Sequence, residues 1–98
     1  MDFDAALDTL RAWEGRPVVV VLEPDHSVME GPLREVDAAG VDGAMFTVSP
    51  TGVSVAIALF RDAFGHAHVD EDGTLHVAQG RVEILVTPGG TAAPLPAR

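Results

Sequence analysis

The residues best placed to do chemistry lie between positions 62 and 79. His66-Ala67-His68 sets two imidazoles two residues apart, and the period of a β-strand puts both on one face. Asp70 follows two residues later. That is the pattern of a metal site or a proton-transfer pair, because imidazole ligates metals and titrates near neutral pH. A third fixed ligand is wanting. If Asp72-Gly73 centres a two-residue turn, His68 faces Val77 and Asp70 faces Leu75, and His76 falls on the opposite sheet face. His66 and His68 are then weak metal candidates, and a solvated polar strand face accounts for them more simply. The run His68-x-Asp70-x-Asp72-Gly73-x-Leu75 has the outline of a calcium loop. It fails where charge matters, since His68 and Gln79 stand where Asp and a bidentate Glu belong. Asp62, Asp70, Glu71 and Asp72 could pair as acid and base, but no groove-forming pattern surrounds them to bury and tune them. Ser27, Ser49 and Ser54 lack a Gly-x-Ser-x-Gly elbow. Gly40, Gly43 and Gly52 are scattered over separate turns and form no phosphate loop. No catalytic residue, resident metal or cofactor is expected. A small metal-dependent enzyme using His66 and His68 is the least supported function.

The whole-chain numbers narrow the class further. Ninety-eight residues make one domain, and 47% hydrophobic content supplies its core. Fifteen acidic residues against six basic ones give a net charge of −9. That charge opposes binding to DNA, to generic RNA and to anionic membranes, all of which need positive charge to replace counterions. The absence of cysteine excludes disulfides, thiolate catalysis and Cys-ligated zinc. No apolar run approaches the roughly 20 residues of a membrane helix. Residues 1–10 are acidic and lack the charged-then-apolar order of a leader, so a cytoplasmic location is expected. Lys, Asn and Tyr are absent and every base is Arg, a usage that points to a GC-rich bacterial genome.

The elements that must position these residues follow from periodicity. Phe3, Ala6, Leu7 and Leu10 recur at helical spacing, with Trp13 at the stripe's edge. The helix is expected over about 3–14, with Asp2 or Asp4 at its start, Gly15 as its stop and Pro17 barring continuation. Strands are expected over about 17–86. Val18 to Leu22 is an unbroken apolar run that wants cover on both faces. Val53, Val55, Ile57 and Leu59 alternate with Ser54, Ala56 and Ala58, giving an outer face of small residues that another backbone can approach closely. Val82, Ile84 and Val86 alternate inward as the last strand. Residues 88–98 form a Pro/Gly/Ala tail expected to be mobile. Short β-rich strands of this kind close readily into a barrel, which removes exposed edges.

The order and spacing resemble the Sm and Sm-like family. A helix precedes Gly15-x-x-Val18-x-Val20-x-Leu22 and Gly31-x-Leu33-x-x-x-Asp37, similar to the first family motif. Val77-Ala78-Gln79-Gly80, followed by Val82-x-Ile84-x-Val86, is similar to the second. The resemblance covers residues 3 to 87. It implies an all-β, strongly bent barrel of five or six strands (Sm-like, SH3-type) with one N-terminal α-helix, spanning residues 1–87. It also implies a homo-oligomer, a ring in that family, joined by pairing edge strands. Here those strands would present Ser54, Ala56 and Ala58 on one side and Glu83 and Leu85 on the other. The family's RNA site would fall on Asp37, Gln79, Gly80 and Arg81. There the family's Asp-x-x-Met-Asn reads Asp37-Ala38-Ala39-Gly40-Val41, and its Arg before the second-motif Gly is Gln79. The expected function is therefore a non-enzymatic assembly module whose partner is itself. The alternative is an RNA-binding ring with a reduced nucleotide site.

Overall fold

The computed structural model describes residues 1–36, 42–48 and 55–89. Asp37 and Ser54, both expected at functional positions, lie outside the described residues, as do residues 90–98 of the expected tail.

Helix α1 spans Phe3–Ala12. Asp2 caps it, its carboxylate accepting from the Ala5 amide at 2.8 Å, and Asp4 sits in the positive first turn. Phe3, Ala6, Leu7 and Leu10 are all buried, as their spacing requires. The helix stops at Ala12 because the chain is then drawn into the sheet: the Gly15 amide donates to the Leu33 carbonyl at 2.7 Å, with Gly15 at φ +86°.

Seven strands follow: β1 (Pro17–Glu23), β2 (Ser27–Val36), β3 (Gly43–Val48), β4 (Val55–Phe60), β5 (Phe64–Val69), β6 (Leu75–Gln79) and β7 (Val82–Pro88). A short 3-10 turn, Arg61–Ala63, links β4 to β5. All pairings are antiparallel, in the order β4-β3-β2-β1-β7-β6-β5. Among the described residues the count is seven, not five or six, because the histidine-bearing hairpin makes two full strands. Its inward positions Ala67, Leu75 and Val77 are apolar and buried. The sheet is also open rather than closed. β4 and β5 are its outer strands, and no ladder joins them. β7 extends to Pro88, and the Gly89 amide donates to the Pro17 carbonyl at 2.7 Å, so the start of the expected tail belongs to the sheet.

β2 is the corner. Residues 27–32 pair with β1, and residues 33–36 pair with β3. Alternate residues of the strands face inward, and α1 covers that face. Phe46, Leu10, Leu33, Leu59 and Leu75 lie fully buried at its centre. The Phe3 ring meets Phe64 edge-on at 5.6 Å. Arg61 clasps the helix to the start of β3, bonding Asp4 at 3.0 Å and Asp42 at 3.3 Å with its guanidinium 4.7 Å above the Phe3 ring. Among the described residues, no helix is long and apolar enough to cross a membrane.

Candidate functional site

Three features of the fold bring chemistry-bearing groups together. The first is the β5–β6 hairpin. Its turn runs over residues 70–73, with the Gly73 amide donating to the Asp70 carbonyl and the Asp70 amide to the Thr74 carbonyl, each at 3.0 Å. Gly73 takes φ +83°, the conformation that such a turn needs and that costs glycine least. The resulting register pairs His68 with His76 and Val69 with Leu75. This corrects the expected pairing of His68 with Val77. A one-residue change of register exchanges the two sheet faces, so His76 shares the outer face with His68 instead of opposing it.

Those side chains form a cluster. One Asp70 oxygen accepts from the amides of Asp72 (2.9 Å) and Thr74 (3.1 Å), and the other lies 2.6 Å from His76 Nε2. His76 Nδ1 lies 3.5 Å from a Glu83 oxygen. The His68 ring stacks on His76 with centroids 4.6 Å apart and planes 6° from parallel. His66 stands one row away, opposite Ala78, and is exposed. Among the described residues, no three His, Asp or Glu side chains are arranged to hold a metal ion. What the cluster can do is hold a proton. The hydrogen bond to Asp70 raises the pKa of His76, and Glu83 adds to the effect, while partial burial works against both. The same bond to His76 lowers the pKa of Asp70, helped by the backbone amides of Thr74 and Asp72.

A pH dependence follows with a definite sign. A histidine whose folded pKa lies above its unfolded value adds stability below the unfolded value, and that stability is lost as pH rises through the folded value. For Asp70, whose folded pKa is depressed, the contribution is present above its unfolded value and lost as pH falls through the folded one. The pair is therefore at full strength between the ordinary carboxylate and imidazole ranges. Raising the pH above the neutral range should lower the melting temperature of the wild type more than that of Asp70→Asn, which keeps the acceptor for the turn amides. Parallel melting-temperature profiles for the two proteins would show that the ion pair contributes nothing.

The second feature is the β6–β7 turn, where the RNA reading placed Gln79, Gly80 and Arg81. Gly80 has φ +59°, and its amide donates to the Ala63 carbonyl at 3.2 Å. Arg81 is exposed, with no ion pair to another described residue. Gln79 is already engaged. Its Nε2 donates to the Ala58 carbonyl at 2.9 Å, and its Oε1 accepts from the Phe60 amide at 2.8 Å. Gln79, Gly80 and Arg81 thus stand together in one turn, with the Gln79 side chain held by β4, and Asp37 lies outside the described residues.

The third feature is the outer edge of β4. The bonds to Gln79 fix its phase. In an antiparallel ladder, the amide and carbonyl of one residue point the same way, and successive residues alternate. Residues 56, 58 and 60 therefore direct their backbone groups away from β3. Ala56 is exposed and Ala58 half-buried, so the small outer face expected for this strand is present. Phe60 remains 40% exposed. The other half of the expected interface needs correction. Glu83 and Leu85 lie on β7, which is flanked by β1 and β6 and offers no free edge. The second outer strand is β5, where the Met1 ammonium donates to the Ala67 carbonyl at 2.9 Å.

The sequence reading missed two of these residues. The turn sets His76 on the face opposite to the expected one, and Gln79 bonds a strand edge where only a nucleotide contact is expected. One signal for Gln79 was available: the inward parity of Leu75 and Val77 ends on a long amide at a strand terminus. No protein-family model, curated protein or solved structure matches the chain.

Proposed function

We propose that this chain is a non-enzymatic interaction module that pairs its β4 edge with a strand of a second copy. The observation that carries this reading is an outer strand with unladdered backbone at Ala56, small side chains on its outer face and an exposed Phe60 at its end. Unpaired strand edges are ready templates for another strand. The partner edge is β5, at the other end of the strand order. A β4-on-β5 contact is head-to-tail, and repetition closes a ring wherever the rotation allows. Burial of about 800 Å² per partner is ordinary for a stable contact of this kind. The net charge of −9 opposes assembly, so association strengthens as salt screens it. The competing reading is an RNA-binding ring at Asp37, Gln79, Gly80 and Arg81. The engagement of the Gln79 amide by β4 and the strong negative charge both count against a nucleotide site there.

Ala56→Pro tests the reading. The residue-56 amide faces the free edge, so proline removes no bond to β3 and belongs to the small class of tolerated strand prolines. It does remove the donor that an added strand needs. In sedimentation at high micromolar concentration and moderate salt, the wild type is expected above the 10.2 kDa of one chain, and Ala56→Pro at that mass. A wild type that sediments as a single chain under those conditions refutes the proposal.

A further inference from the structure

We infer that the Gln79 carboxamide occupies the place of an incoming strand on the β4 edge, so that full strand addition requires Gln79 to let go. This rests on the edge-pairing reading and deepens it. A neighbouring strand bonds an edge by donating to its outward carbonyls and accepting from its outward amides. Gln79 does both within one side chain: it donates to the Ala58 carbonyl at 2.9 Å and accepts from the Phe60 amide at 2.8 Å. It reaches there from the end of β6, a strand that is not a ladder neighbour of β4. Residues 58 and 60 have their backbone groups on the free edge, so the contact uses part of the surface that a partner would use. With Gln79 in place, an added strand has the Ala56 groups and the Ala58 amide, but neither the Ala58 carbonyl nor the Phe60 amide. The fold thus carries its own competitor for the edge. Native proteins guard exposed edges by several devices, and here a side chain held on the strand by two hydrogen bonds covers part of the edge.

The competition has a direction. Removing the carboxamide leaves two edge groups that a second copy can satisfy. Gln79→Ala should therefore tighten self-association by about tenfold or more, whereas loss of an interface residue would weaken it. Gln79→Glu keeps the length and the acceptor for Phe60 but loses the donor and sets a carboxylate against the Ala58 carbonyl. It should tighten association less, and it serves as the folded control if the alanine variant is unstable. Amide exchange reads the same contact in the monomer. At concentrations too low for assembly, the Phe60 amide should exchange faster in Gln79→Ala than in the wild type, and it should regain protection as the variant assembles. Adding Ala56→Pro to either variant should return it to a single chain.

The outcomes separate cleanly. Association of the variants at concentrations below those at which the wild type assembles, reversed by Ala56→Pro, supports the inference. A wild type that assembles through β4 while both folded variants match it overturns the gate and leaves the edge-pairing reading standing. Unchanged Phe60 exchange in Gln79→Ala also overturns the gate alone. Wild type and variants all monomeric at high micromolar concentration overturn both.

Discussion

Shortening Phe46 to alanine is expected to destabilise the fold by about 4 kcal/mol. Phe46 is fully buried on β3, opposite Ile57 of β4, at the centre of the face that α1 covers. Removing a ring from such a site loses its transfer free energy and leaves a cavity that strands on both sides prevent from collapsing; Phe→Ala changes in cores cost about 3–5 kcal/mol. A domain of this size has on the order of 5–15 kcal/mol in total, so the loss takes a large share. Urea denaturation should show a much lower midpoint with an unchanged slope. Phe60→Ala is the internal contrast. The same ring, on a strand end and 40% exposed, should change stability by less than about 1 kcal/mol. Equal losses at the two positions would mean that the inward and outward parities assigned to β3 and β4 are wrong.

Gly43→Ala is the second large effect, at about 3 kcal/mol. A Cβ on Gly43 would overlap the Leu59 carbonyl oxygen and come within 3.0 Å of the Leu59 carbonyl carbon and the Phe60 Cα. All three are backbone atoms of the neighbouring strand, so no side chain can swing away. The start of β3 must separate from β4, which strains the Gly43–Phe60 end of the ladder and the Arg61 amide bond to Asp42. Overpacking in cores typically costs about 1–3 kcal/mol, and immovable backbone places this case at the upper end. Gly73→Ala is a useful comparison. No atom lies within 4 Å of an added Cβ there, and only the positive φ resists substitution, at about 1 kcal/mol. A Gly43→Ala protein as stable as Gly73→Ala would show that the strands can part at that point without cost.

Sequence alone determined the parts of this protein that depend on local periodicity. Phe3, Ala6, Leu7 and Leu10 recur at helical spacing, and all four are buried. Val18, Val20, Ile57, Leu59, Ile84 and Val86 hold the inward parity of their strands, and each is buried, whereas Val82, expected on the same parity, is exposed at the start of β7 beside the turn. Burial of alternate residues is written into every strand separately, because it follows from the period of the backbone and the cost of wetting apolar surface. The all-β class with one leading helix, and the outer position of Ala56, follow from the same local pattern.

Tertiary structure decided what joins one strand to another. Periodicity says which residues face inward but not which strands are neighbours, so the open seven-strand order and the interior place of β7, with Glu83 and Leu85 upon it, were not legible. The register of β5 against β6 turned on how the residue 70–73 turn closes. Asp70 bonds the turn amides, and Gly73 takes the positive φ that moves the ladder by one residue and carries His76 to the face of His68, Asp70 and Glu83. Gln79 shows the limit most plainly. Its two bonds reach β4 backbone 19 and 21 residues earlier in the chain. A contact between a side-chain amide and a distant strand edge repeats at no spacing. It exists only once the sheet has curled and brought the end of β6 to the edge of β4.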